Sequence, residues 1–282
     1  MVASSLTVQL ALQRGQAAGL DRLETQLLLS ELLQCDRSWL ISHDDACLSD
    51  TDAARFEDWL AQRLDQVPLA YLCGHKEFHG LRLRVTRDTL IPRPDTEVLV
   101  DWALEVLAGQ IQQGLASPRV IDMGTGSGAI ALAIKHRCPA AQVAALDFSR
   151  GALAVAQANA QDLRLAVEFI QGSWWQALQG REFDLIVSNP PYIAGQDPHL
   201  PALRHEPISA LTPGGDGLAD LRTLIEGAPA HLAPGGALLL EHGWDQARAA
   251  AQMLAKTGFV KLACRQDLAG MQRASGGIWP KL

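Results

Sequence analysis

The chain has 282 residues, of which 48% are hydrophobic and 20% charged, and a net charge of −7. That length admits one large domain or a standard domain with a small one beside it. No apolar run approaches the ~20 residues that cross a bilayer, residues 1–12 lack a basic segment ahead of an apolar core, and no lysine or arginine run offers the many phosphate contacts of a nucleic-acid binder. The expectation is a cytoplasmic protein, a monomer, with neither membrane nor DNA as a direct partner. Cys35, Cys47, Cys73, Cys138 and Cys264 are odd in number and dispersed, without a C-x-x-C or Cys/His spacing. They read as buried free thiols in a reducing compartment, and no metal site is expected.

Residues 1–74 read as a small helical domain. Asp21 with Glu24 has the spacing of a capping box, and an apolar stripe from Leu23 and Leu27 runs on to Leu33. Ser49 with Asp52 repeats the start. Phe56, Trp59, Leu60 and Leu64 follow at helical spacing, and Pro68 stops that helix. A packed bundle that grips a partner, with no chemistry of its own, is the reading here.

In residues 75–90 the period changes. Leu81, Leu83 and Val85 alternate with Arg82 and Arg84, and His79-Gly80 sits where a turn belongs, which predicts a short β-hairpin linking two domains. From residue 91 to 282 strands and helices alternate. Residues 119–123, 142–146, 166–170, 183–187 and 237–241 are strand-like; 128–137, 149–161 and 218–231 are helix-like. Such alternation predicts a mostly parallel sheet covered on both faces, with residues 259–264 and a segment near Ile278 adding an antiparallel pair.

The first strand of that series runs into Asp122-Met123-Gly124-Thr125-Gly126-Ser127-Gly128-Ala129. Glycines there let the backbone approach a ligand and present N–H groups at a helix N-terminus. Asp147, at the end of the next strand, can accept hydrogen bonds from both hydroxyls of a ribose. The pair points to a nucleoside-containing cofactor without naming it, since Gly124-x-Gly126-x-x-Ala129 also satisfies the dinucleotide fingerprint. Asp122 either faces a positive ammonium on the cofactor or caps the glycine turn.

Phe183-Asp184-Leu185-Ile186-Val187 leads into Ser188-Asn189-Pro190-Pro191-Tyr192. The prolines cannot donate to a sheet, so they hold this element at its C-terminal edge, where open α/β folds bind ligands. An NH2 conjugated to a carbonyl or ring is a poor nucleophile. The Asn189 side-chain carbonyl and the Pro190 backbone C=O supply two acceptors for its hydrogens, and Tyr192 a flat face to pack against it. Methylating an NH2 explains this element and hydride transfer does not, which favours S-adenosylmethionine as the cofactor.

With those residues, the chain resembles the HemK/PrmC family of protein-(glutamine-N5) methyltransferases over nearly its whole length. The resemblance rests on Pro68-Leu69-Ala70-Tyr71-Leu72-Cys73-Gly74, Ile91-Pro92-Arg93-Pro94-Asp95-Thr96-Glu97, the Asp122 to Gly128 loop, Ser188 to Tyr192, and Leu239-Leu240-Glu241-His242-Gly243. It implies an α/β architecture: a Rossmann-like methyltransferase domain (91–282), a hairpin linker (75–90) and a helical domain (1–74) that docks on class I peptide chain release factors. The implied acceptor is the side-chain amide of the Gln in the release factor's Gly-Gly-Gln motif. Gly124, Thr125, Gly126, Ser127 and Gly128 would line the methionine part of the cofactor, Asp147 would hold the ribose, and Trp174 would sit near the adenine. Asn189, Pro190, Pro191 and Tyr192 would hold the amide. Trp174 also fits a core aromatic, and Trp175 reads as core. Ser173 stands where the family often has an acidic residue, no Asp precedes Arg273, and Gly276-Gly277-Ile278-Trp279 is atypical. The rival reading within the same chemistry is an adenine-N6 or other nucleic-acid amino methyltransferase, whose target is also a planar NH2.

Overall fold

The computed structural model describes residues 6–280. It divides into two compact units, residues 1–74 and 75–282.

The first unit is helical: α1 (Val8–Ala18), α2 (Arg22–Leu33), α3 (Arg37–Ser42), α4 (Asp50–Leu64) and α5 (Leu69–Cys73). Asp21 and Ser49 do cap α2 and α4, accepting from Glu24 N at 2.6 Å and Asp52 N at 3.1 Å. Glu24 does not reach back to its cap; its carboxylate pairs with Arg63 of α4. The apolar stripe expected from Leu23 and Leu27 is corrected by about one residue, a rotation of roughly 100° about the helix axis. Leu28, Leu29 and Leu32 enter the core with Val8, Ala11, Phe56, Trp59 and Leu60, while Leu23 and Leu27 are exposed. Two leucine faces compete in so leucine-rich a helix, and the neighbours on α1 and α4 decide between them.

The second unit opens with the hairpin β1 (His75–Phe78) and β2 (Leu81–Arg84), turned at His79 and Gly80, both with positive φ. This hairpin is part of the second unit rather than a free connector. Phe78, Leu81 and Leu83 enter its core, and the Asn159 carboxamide accepts from Arg84 N at 2.7 Å while donating to Arg84 O and Ser127 O.

Seven strands form the sheet: β3 (Arg119–Met123), β4 (Gln142–Asp147), β5 (Glu168–Gln171), β6 (Phe183–Ser188), β7 (Leu232–Glu241), β8 (Val260–Gln266) and β9 (Gln272–Ile278). Their spatial order is β5-β4-β3-β6-β7-β9-β8, parallel as far as β7, with β9 antiparallel to both its neighbours. Helices α7 (Ala129–Arg137), α8 (Arg150–Leu163) and α9 (Ala219–Gly227) follow β3, β4 and β6. Two further helices were not anticipated, α6 (Glu97–Gln112) and α10 (Ala247–Thr257). The sign of α6 is the four-residue spacing of Glu97, Asp101 and Glu105, opposite the buried Leu99, Val100, Ala103 and Leu107.

Side chains alternate across each strand, so β3 sends Val120 into the core under α6 and α7, and Ile121 and Met123 into the core under α9 and α10. The atypical Gly276-Gly277 follows from this layering. A Cβ on Gly276 would stand 2.5 Å from Leu238 O and 3.1 Å from the Trp102 ring of α6. Glycine in a strand costs about 0.5–1 kcal/mol, less than the roughly 1–3 kcal/mol of overpacking. None of the five cysteines, all free, is buried: Cys35, Cys73 and Cys138 are half-buried and Cys47 and Cys264 exposed, the last on the edge strand β8.

Candidate active site

The glycine loop is shaped by hydrogen bonds that leave its outer face open. Gly124 N and Thr125 N both donate to Leu146 O, at 2.8 and 2.9 Å, and Gly124, Gly126 and Gly128 have φ of 75°, 57° and 84°. Beneath the loop lies Asp122, fully buried. Its Oδ2 accepts from Thr125 Oγ1 at 2.6 Å and Ala131 N at 3.2 Å, while Oδ1 has no hydrogen-bond partner among the described residues. Asp122 therefore fastens the turn to the first turn of α7, where the exposed N–H groups favour a negative charge. Burial nonetheless pushes its pKa up to about 7, against the pull of those two hydrogen bonds.

Asp147 closes the other side of the turn. Its Oδ2 accepts from Gly126 N and its Oδ1 from Ser149 N, each at 2.9 Å, and burial raises its pKa. Each oxygen keeps one lone-pair direction for a ligand. The cleft in front has a volume of about 490 Å³ and is bordered by Gly124, Gly126, Asp147, Trp174, Asn189 and Pro191. Thr125 and Ser127 are buried behind it, and Gly128 packs against Leu132 and Ala156.

Trp174 packs against the core and also borders the cleft. Its ring lies 3.6 Å from the place a Gly124 Cβ would occupy, and it is close enough to Asp220, also on the cleft, to lower that carboxyl's pKa against the rise from burial. Trp175 is a packing residue: its Nε1 donates to Thr223 O at 2.8 Å and its ring stacks on His231 at 4.9 Å.

In the second motif, β6 ends at Ser188, whose hydroxyl donates to Met123 O at 2.6 Å and ties the motif to the glycine strand. Asn189 and Pro191 border the cleft, whereas Pro190 is buried and Tyr192 is half-buried and off its border. The Tyr192 hydroxyl turns inward and donates to Glu241 Oε1 at 3.1 Å. Asn189 Nδ2 donates to Thr96 Oγ1 at 3.2 Å, and the Thr96 hydroxyl in turn lies near the same Glu241 carboxylate and lowers its pKa. Glu241 Oε2 has no partner among the described residues, and burial pushes the group up to about 7 against the Thr96 and Tyr192 hydrogen bonds and the Arg273 charge.

Thr96 and Glu241 lay inside segments that the sequence marks, yet neither carried a role there. Phe148, more than half exposed beside Asp147 on the cleft, was also missed; its only mark is an aromatic after a strand-end acid. Glu206 is another: it accepts from Ile91 N at 3.1 Å and pairs with Arg93, pinning the loop after Tyr192 to the segment before α6. His199 stands off the cleft on Asp197, at 2.8 Å, and His205 does not border the cleft either.

Residues 8–74 match the PrmC N-terminal domain and residues 96–216 the methyltransferase small domain. A release factor glutamine methyltransferase of Bordetella pertussis is 49% identical over 92% of this chain and 95% of that protein. The chain belongs to the release factor glutamine methyltransferase family. A second family member, from Xylella fastidiosa, is 47% identical over 96% of this chain and 98% of its own length. Among solved structures, a methyltransferase from Pyrococcus furiosus superposes with a TM-score of 0.53 at 18% identity, over 72% of this chain and 90% of that one, which shows a shared fold.

As a member of this family the chain is an S-adenosylmethionine-dependent methyltransferase. Its residues fit that cofactor. The cleft lies within the ~300–1,000 Å³ of small-ligand sites. Gly126 borders open space, since a Cβ there would meet nothing within 4 Å. Asp147 is a buried acceptor beside it, and Asp122 Oδ1 is left without a partner behind the loop.

Proposed function

We propose that this chain methylates the side-chain amide nitrogen of the glutamine in the Gly-Gly-Gln motif of class I peptide chain release factors, in the cytoplasm. The observation that carries the reading is the Asn189 carboxamide, held by its NH2 on Thr96 and thus left with Oδ1 for the cleft it borders. When bound, S-adenosylmethionine supplies an activated methyl carbon on its sulfonium sulfur. Asp147 holds the ribose hydroxyls, Trp174 packs near the adenine, and the Gly124 to Gly128 turn takes the methionine portion.

Asn189 Oδ1 and the Pro190 carbonyl each accept one hydrogen of the glutamine NH2, with Pro191 and Tyr192 packing its flat face. Two acceptors at those hydrogens aim the nitrogen lone pair into the cleft and stabilise the positive charge that grows on nitrogen as the new N–C bond forms and the methyl–sulfur bond breaks, its electron pair staying on sulfur. Holding the nitrogen in place makes the encounter intramolecular, an effect of roughly 7–11 kcal/mol in favourable geometry. No general base has to act first, because the nitrogen becomes acidic once alkylated and then loses its proton.

The test is incubation with labelled S-adenosylmethionine and a purified release factor, with a DNA duplex in competition, followed by peptide mapping of the label. Label on the Gly-Gly-Gln glutamine is the expected result. Label on DNA, or on another residue, overturns the reading.

A further inference from the structure

An asparagine can hold a substrate NH2 only if its oxygen faces that NH2. Its two ends are nearly the same shape, so shape alone does not choose between them. Something must break the symmetry, and the structure holds one candidate chain of donors and acceptors. Asn189 Nδ2 lies 3.2 Å from Thr96 Oγ1, the Thr96 hydroxyl is close enough to the Glu241 carboxylate to lower its pKa, and Tyr192 donates to Glu241 Oε1 at 3.1 Å.

We propose that Thr96 and Glu241 are positioning residues for the transfer, fixing the Asn189 carboxamide with its oxygen toward the acceptor nitrogen. The proposal rests on the glutamine-amide reading above and adds to it the source of the amide's orientation.

The argument is one of proton counting. Above about pH 7, where Glu241 is ionised, its carboxylate accepts and cannot donate, and a threonine hydroxyl has one proton. With that proton turned toward Glu241, Thr96 presents only lone pairs to Asn189. An Asn189 turned the other way would set oxygen against oxygen at Thr96 and place its NH2 against the NH2 of the substrate. Both mismatches are in a part of the molecule where Glu241, Thr96 and the end of β6 are buried, and unmade hydrogen bonds there are expensive. Thr96 is also well fixed. It sits at the start of α6, immediately after Arg93, which Glu206 holds, and Asp95, which pairs with Arg273 at 3.3 Å. Arg273 is in turn held by Asp267 at 2.9 Å, which keeps a positive charge near Glu241 without consuming its oxygens.

The experiment compares the wild type with Thr96→Val, Thr96→Ser and Glu241→Gln. The readouts are kcat and KM with a release factor, and cofactor affinity by calorimetry. Valine keeps the shape without the hydroxyl, and we expect kcat to fall ~10²-fold, the scale of one lost preorganised polar group. Serine should restore most of that loss. Glutamine at 241 can donate to Thr96, turn its hydroxyl toward Asn189 and favour the wrong amide end, so kcat should fall there as well. In all three, KM and cofactor affinity should stay within about twofold, the pattern of an interaction made in the transition state.

A Thr96→Val protein with wild-type kcat overturns the proposal, as does a Thr96→Ser protein that is folded and as slow as valine. A readout without any acceptor separates this inference from the functional reading. The Asn189 side-chain protons should exchange with solvent more slowly in the wild type than in Thr96→Val. Slow exchange in a wild type that leaves the glutamine unlabelled would support the pair while sinking the glutamine reading; equal exchange in the two proteins sinks the pair.

Discussion

The two walls of the cleft are built in opposite ways. The wall made by the glycine loop is a local construction: Asp122 bonds Thr125 and Ala131, three and nine residues away, and Asp147 bonds Gly126 and Ser149. The wall made by Asn189 is assembled from distant parts of the chain. Thr96 lies 93 residues before Asn189, and Glu241 lies 49 residues after Tyr192. Each wall rests on a fully buried carboxylate with one unpaired oxygen, Asp122 in one and Glu241 in the other. The difference teaches that a strand-turn-helix can preorganise a nucleoside site by itself, whereas aiming a side-chain amide takes the whole sheet.

The sharpest way to break this comparison is Asn189→Ala. Methyl transfer should drop by ~10³-fold or more while calorimetric titration with S-adenosylmethionine stays unchanged; a parallel loss of cofactor affinity would mean that the walls do not divide the work. Asp147→Ala is the converse. It removes the two acceptors proposed to hold the ribose, so the cofactor should bind ~10²-fold more weakly, with kcat at saturation close to wild type.

Gly128→Ala sharpens the claim that the glycine wall is local. At φ 84° its Cβ would stand 3.0 Å from Leu132 Cδ1 and 3.2 Å from Ala156 Cβ. A loss of about 1–3 kcal/mol in unfolding free energy is expected from denaturant melts. Gly126→Ala, whose methyl would meet open space, should lose less stability and more cofactor affinity.

The last effect concerns the two buried acids. Both have folded pKa values raised to about 7, chiefly by burial, from 3.8 for Asp122 and 4.5 for Glu241. The fold therefore favours their protonated forms, so their contribution to stability is complete below the unfolded values and is lost as the pH rises through about 7. Asp122→Asn and Glu241→Gln should each flatten the fall of unfolding free energy between about pH 4 and about pH 7. A slope identical to wild type in both variants would show that neither acid is held neutral.

What could be read from residues alone follows the same division. The glycine turn, Asp147, the parallel strands and the two helix caps in the first unit are each signalled within a dozen or so residues, and the structure places them there. Asn189 stood out because two prolines follow it. Thr96 and Glu241 could not be assigned, because a threonine at a helix start and a glutamate at a strand end have ordinary local explanations, and only the sheet brings them together. The leucine face of α2 failed for a related reason, since α1 and α4 choose which leucines are buried. The chain's glutamine-methylating family was legible over both units, and Gly276-Gly277 became explicable only with Trp102 above it.

The placing of β9 between β7 and β8 has a consequence for shortened forms of the chain. A chain that ends between residues 266 and 272 contains β7 and β8 without the strand that both pair with. It therefore has two unsaturated strand edges, each able to recruit a foreign chain. Such a product should aggregate more readily than one that ends ahead of β8.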